Sequence, residues 1–264
     1  MARDPYRGYL LTLAGVFLLE WTLLAVHPQD RPAWALENAL VAVAAVVLAA
    51  SYRAFPLSRV SYTLIFVFLC LHEVGAHYTY AAVPYDDWFK AGFGLSLNQA
   101  LGFERNQFDR AVHFSYGLLI AYPVREVFLR IANVRGFWGY FLPLDLTMST
   151  SMLFELFEWA AAEIFGGDVG PTYLGTQGDP WDAQKDMALA SVGALIVMLL
   201  TALINYKFQR DFAAEWAESL RVKRRRPLGE SAAYVWRRLL RLGGASLSVA
   251  GEAGRPRRSR ARRR

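Results

Sequence analysis

The chain has a single cysteine, Cys70, which excludes an intramolecular disulfide. Signatures of familiar catalytic machinery are also missing. There is no Gly-x-Ser-x-Gly elbow, no P-loop and no dinucleotide fingerprint, which argues against acyl transfer and nucleotide-driven chemistry. The Arg-Pro and Ser-Gly-His pattern of phosphatidic-acid phosphatases is absent, as is the Asp-Gly-x-x-Ala-Arg pattern of alcohol phosphatidyltransferases. No repeat relates the first half of the chain to the second, so an inverted-repeat transporter is not evident. Histidine is scarce, with four in 264 residues. Three of them, His72, His77 and His113, lie at the ends of apolar segments beside acidic and basic residues.

Apolar residues are abundant instead. They make up 55% of the chain, aromatics 14%, and the mean hydropathy is +0.20. A helix needs about 20 mostly apolar residues to cross the hydrocarbon core, and such stretches fall at roughly 9–27, 34–54, 60–81, 110–131, 137–164 and 184–206. The expected fold is therefore an all-α membrane bundle of six spans, residues 1–206, followed by a basic tail, residues 207–264. Pro123 and Pro143 are expected to break the fourth and fifth spans. The first span has Arg3 and Arg7 before it but is too long for a signal-peptide core and carries Glu20 and Trp21, so retention as a helix is expected.

Charge orients the bundle. Arg3 and Arg7, Arg53 and Arg59, then Arg125, Arg130 and Arg135, and finally the tail from Lys207 alternate with loops richer in acid. The positive-inside rule then places both termini in the cytoplasm and the acidic loops outside. Nearly all unusual polar residues gather on that outer side, at the ends of spans three to six. Glu73 and His77, Asp109 and His113, and Asp182 and Asp186 are four apart, and Glu155 and Glu158 three apart, so each pair shares a helix face. Small residues such as Gly75, Ala76, Gly193 and Ala194 suit close helix packing.

The motifs His72-Glu73-x-x-x-His77-Tyr78, Tyr85-Asp86-Asp87-Trp88, Arg105-Asn106-x-x-Asp109-Arg110-x-x-His113-Phe114 and Gly175-Thr176-Gln177-Gly178-Asp179-x-Trp181-Asp182-x-Gln184-Lys185-Asp186-Met187 resemble those of the YjdF-type uncharacterised bacterial inner-membrane proteins. The resemblance spans about residues 10–206 and implies a topology class without a biochemical activity. More distantly, Asp186 to Ala194 is similar to the Asp-x-x-x-Asn-x-x-Gly signature of VanZ-like proteins, with Glu155 or Glu158 in place of their upstream glutamate. Ala190 stands where that pattern has asparagine.

The leading functional expectation is an outward-facing His/Asp/Glu pocket for a lipid or amphiphilic ligand, with metal-assisted catalysis or binding. Imidazoles and carboxylates suit Zn²⁺ or a similar divalent ion. His72, His77 and His113 are the candidate imidazole ligands, and Asp182 and Asp186 the candidate carboxylates. Asp179, Asp182 and Asp186 offer the oxygen ligands that Mg²⁺ prefers. Glu73, Asp109, Arg110, Glu155 and Glu158 are the candidate catalytic groups. Because His72 and His77 are five apart, both reach one ion only if the helix loosens at Gly75. Two other classes stay open. One is proton-coupled or ion transport, for which Glu20, Asp145, Glu155 and Glu158 would mark a path. The other is a non-catalytic membrane partner protein, whose polar residues merely satisfy one another.

The tail contains amphipathic stretches at 211–222 and 231–242 and an Arg-rich end expected to be disordered. Beside a cytoplasmic membrane surface its cations point to anionic lipids, not to nucleic acid.

Overall fold

The computed structural model describes residues 5–165, 176–223 and 236–237. All regular structure among them is helical: α1 (Pro5–Leu24), α2 (Arg31–Ser51), α3 (Arg59–His77), α4 (Tyr85–Phe93), α5 (Leu97–Leu101), α6 (Phe108–Ile131), α7 (Trp138–Phe165), α8 (Asp182–Phe208) and α9 (Phe212–Ser219). Residues 1–219 form one compact unit. Of the second, residues 220–264, only 220–223 and 236–237 are described, so the Arg-rich end and most of the 231–242 stretch lie outside the described residues. Asp168 and Tyr173 lie outside them as well.

Each of the six apolar stretches forms a long helix. Four are both long and apolar enough to cross a membrane: Tyr6–Leu24, Arg31–Ser51, Arg59–His77 and Asp182–Phe208. Helices α6 and α7, with 24 and 28 residues, have the length, but ionisable groups interrupt their apolar sequence. Pro123 and Pro143 do not break them, contrary to the sequence expectation. Each helix runs through its proline.

Local chemistry sets the helix boundaries. Asp30 caps α2 by accepting the Ala33 N–H at 2.8 Å, and Pro32 occupies the first turn, where its missing donor costs nothing. Ser58 caps α3 through the Ser61 N–H at 3.2 Å. Short α4 and α5 occupy the stretch between α3 and the next long helix, and both stop at left-handed glycines, Gly94 and Gly102.

The long helices alternate in direction. Residues near the starts of α1 and α3 meet, since the Tyr9 hydroxyl lies 3.4 Å from the Arg59 carbonyl, and their ends meet where His77 reaches Leu24. The start of α3 meets the end of α6, where Glu126 accepts the Ser58 N–H and the Ser61 hydroxyl. Antiparallel α6 and α7 join through Tyr116 and Thr150 and through Arg125 stacked on the Tyr140 ring. Parallel α6 and α8 touch backbone to backbone, because a Cβ on Gly117 would lie 1.8 Å from the Ala190 carbonyl oxygen and one on Gly193 2.2 Å from that of Phe114. Ala121, Ala190 and Ala194 are fully buried along this seam. Small residues thus let the two helix backbones approach closely.

The exterior is apolar and part of the interior is polar, the reverse of a soluble domain. Leu18, Leu19, Leu23, Val43, Val46, Leu199 and Leu203 are exposed, whereas Glu37, His72, Glu73, His113, Glu155, Asp182 and Asp186 are buried. All seven buried groups sit towards one end of the bundle, the end that carries α4 and α5.

Candidate functional site

At this end the carboxylates form tiers. Nearest the loop, Asp179 and Asp182 are saturated with cations. Arg105 Nη1 donates to Asp182 Oδ1 at 2.6 Å and to the Thr176 carbonyl at 2.9 Å. Arg110 Nη2 donates to Asp179 Oδ2 at 2.5 Å, and Lys185 Nζ does so at the same distance. The Lys185 ammonium, the Trp181 N–H and the Arg110 guanidinium hold the Asp179 carboxyl down at about 2. The other motif residues brace this tier. Asn106 and Gln177 exchange hydrogen bonds of 3.0 and 3.2 Å, Asn106 Nδ2 donates to the Val83 carbonyl at 2.8 Å, and Asp86 accepts the Asn98 N–H at 2.9 Å and the Ser96 hydroxyl at 2.8 Å.

One turn deeper the cations stop. His113 Nε2 lies 3.5 Å from Asp109 Oδ1 and 3.4 Å from Glu155 Oε1. Asp109, His113 and Asp186 each offer a ligand atom within 4.8 Å of the other two. Among the described residues no arginine or lysine pairs with Asp109, Glu155, Glu158 or Asp186; His113 alone faces the first two as an ion-pairing base. Asp186 is 2% exposed, and its Oδ1 has no hydrogen-bond partner among the described residues.

A second polar group adjoins the first. His72 Nδ1 lies 2.7 Å from the Tyr80 hydroxyl, which is also 3.4 Å from Glu37 Oε2; His72 Nε2 is 3.8 Å from that same oxygen. The turn that brings Tyr80 back is strained, with both Thr79 (φ 56°) and Tyr80 (φ 51°) left-handed. A cavity of about 340 Å³ joins the two groups. At one end its wall is His72, Tyr80, Asp109, His113 and Glu158; the remainder is mostly apolar, including Leu40, Ala44, Phe68 and Phe154. From Glu158 to Thr150 on α7 its lining runs over about 12 Å of helix. A second cavity of about 300 Å³ lies against Glu155, Asp182 and Asp186, and Asp109 and Glu158 belong to the walls of both.

The structure thus gathers Asp109, His113, Glu155, Glu158 and Asp186, with His72 across the first cavity. It places the other candidates differently. His77 is turned to α1, its Nδ1 2.7 Å from the Leu24 carbonyl, because α3 stays helical through Gly75 and residues five apart diverge by about 140°. Gly75 does not loosen the helix; it leaves room for the Tyr80 ring. Glu73 is fully buried but lies beside Asn38 and Glu20, away from His113. Arg110 pairs with Asp179 and Asp182 and not with Asp109, and Asp182 is occupied by Arg105 and Arg110. Glu37 and Tyr80 complete the site without having been singled out from sequence. A lone carboxylate inside an Ala- and Val-rich span was the available signal for Glu37.

A family model described as "Predicted membrane protein (DUF2238)" matches residues 9–207. The Inner membrane protein YjdF of Escherichia coli (strain K12) is 36% identical over 196 residues, which cover 74% of this chain and 88% of that protein. No solved structure matches the chain.

Proposed function

The chain belongs to the DUF2238 family of predicted membrane proteins, and from that premise we propose that it binds an amphiphile at the outer face of the inner membrane. In this reading all six long helices span, both termini are cytoplasmic, and the tiered carboxylates open outwards. The observation that carries it is the make-up of the larger cavity. One end presents His72, Tyr80, Asp109, His113 and Glu158, and the rest is hydrocarbon such as Leu40, Ala44, Phe68 and Phe154. A few convergent polar groups in an otherwise apolar cleft is how proteins hold small ligands. Here the apolar part lies between helices whose outer surfaces meet lipid, so an acyl or prenyl chain fits the depth and a polar head fits the mouth. Uncompensated carboxylates favour a head group that is cationic or reached through a bound cation. Catalysis on that head group would use the same residues.

Transport is the weaker reading. The buried cluster of Ala121, Tyr140, Ala194 and Met198 offers only the Tyr140 hydroxyl, which accepts from Asn205 Nδ2 at 2.7 Å, so an ion path would need further polar groups through it.

Native mass spectrometry of the full chain in mild detergent tests the proposal, comparing wild type with Ala44→Trp, which fills the apolar part of the cavity. A discrete amphiphile mass bound to wild type and lost from Ala44→Trp supports it. No retained amphiphile, or equal retention by both proteins, overturns it.

A further inference from the structure

We propose that Asp109, His113 and Asp186 form a divalent transition-metal site, with Zn²⁺ the best-matched ion. The inference concerns the polar end of the same cavity but stands on ligand geometry, so it holds or fails independently of any bound amphiphile.

Spacing is the first support. Asp109 and His113 are four apart on α6 and present one face, and α8, parallel to α6 and held in backbone contact by Gly117 and Gly193, brings Asp186 to that face. The rigid seam fixes the third ligand relative to the first two. A tetrahedral ion with bonds of about 2.1 Å separates its ligand atoms by about 3.4 Å. His113 Nε2 stands 3.5 Å from Asp109 Oδ1 and 3.4 Å from Glu155 Oε1, too long for strong hydrogen bonds and close to that tetrahedral edge. Asp186 then closes in by a side-chain adjustment from within the 4.8 Å limit of the trio.

The second support is independent of spacing. Asp186 Oδ1 and Glu155 Oε1 have no hydrogen-bond partner among the described residues, although these side chains are almost wholly buried. Buried carboxylate oxygens are costly to leave unpaired. Asp182, one turn before Asp186, has two arginines, so this fold does supply cations where it uses them for structure. The deeper tier lacks them and is bordered by the second cavity, which gives an ion room to enter beside Thr176.

The donor set selects the ion. One imidazole and two carboxylates suit Zn²⁺ or Mn²⁺ better than Mg²⁺ or Ca²⁺, which take oxygen, or Cu⁺, which takes sulfur. Glu155 fits a fourth ligand or a base towards water on the ion.

The test uses the full chain purified in detergent, stripped with chelator and dialysed against Zn²⁺ alone or Mn²⁺ alone, with metal read by elemental analysis. About one equivalent per chain is expected in wild type, with affinity lowered about 100-fold or more in Asp186→Asn and His113→Gln and unchanged in His77→Gln. Wild type is also titrated with Co²⁺, whose tetrahedral visible bands should appear and be displaced by Zn²⁺ even where a variant fails to fold. Wild type that takes up neither ion and shows no Co²⁺ bands overturns the site. So does uptake that Asp186→Asn and His113→Gln both retain.

Discussion

The aromatic ring of Tyr80 occupies the space that a side chain on Gly75 would need: a Cβ there would lie 2.2 Å from the ring. From this seat the Tyr80 hydroxyl reaches His72 Nδ1 at 2.7 Å. Gly75→Ala should therefore act through Tyr80. Tyr80→Phe removes the hydroxyl that meets His72 and, at a longer distance, Glu37, and should cost about 1 kcal/mol. Gly75→Ala must displace the whole ring and should cost more, about 1–3 kcal/mol. The double variant should cost less than the sum of the two, because both disrupt one contact. Denaturant unfolding in detergent micelles measures all three, and simple additivity would contradict the coupling.

The α6–α8 seam makes a sharper prediction. Since the Cβ of Gly117→Ala meets the backbone oxygen of Ala190 and not a movable side chain, the helices must part. We expect destabilisation by about 1–3 kcal/mol or more, together with loss of metal uptake, because Asp186 moves away from His113. Thermal melts with and without Zn²⁺ check this. A variant that melts and binds like wild type would show that the seam does not set the site.

Asp179 predicts a pH dependence with a definite sign. Its carboxyl is held at about 2 by Lys185, Trp181 and Arg110, below the ordinary aspartate value near 3.9. A depressed pKa stabilises the folded protein above the unfolded value, and the contribution is lost as pH falls through the folded one. Asp179→Asn should therefore lower the melting temperature by a constant amount from about pH 5 to pH 8. The gap between the two proteins should narrow as pH falls from about 4 towards 2. A gap that grows on acidification would contradict the assignment.

The sequence carried the helices and the polar end, but not the partners within it. Hydropathy located all six long helices to within a few residues, and four of them are apolar over the length that crossing a membrane needs. Periods of three and four residues identified Asp109 with His113 and Glu155 with Glu158, since such pairs share a face on any continuous helix. Contacts between helices have no such local signature. Nothing around Gly117 announces that it meets Ala190, and it is that contact that decides Asp186 faces His113. Likewise the partners of Arg110 and Asp182 depend on how the loop before α8 packs on α6, and His77 left the site because α3 did not unwind. Ala190, the departure from the VanZ-like pattern, lies fully buried at the α6–α8 seam, beside the position where Gly117 leaves no space.

In the proposed function the larger cavity selects one amphiphile from the surrounding lipid. Photo-crosslinking in intact cells separates the cavity from bulk lipid, with a benzophenone amino acid placed at Phe68, which is half-buried and lines the cavity, or at Leu199, which is exposed on α8 and is not part of its wall. A single dominant adduct mass is expected at position 68 and a mixture reflecting bulk lipid at 199. The same mixture at both positions would mean that the cavity is only a dent in the lipid-facing surface, and the proposed function would fall.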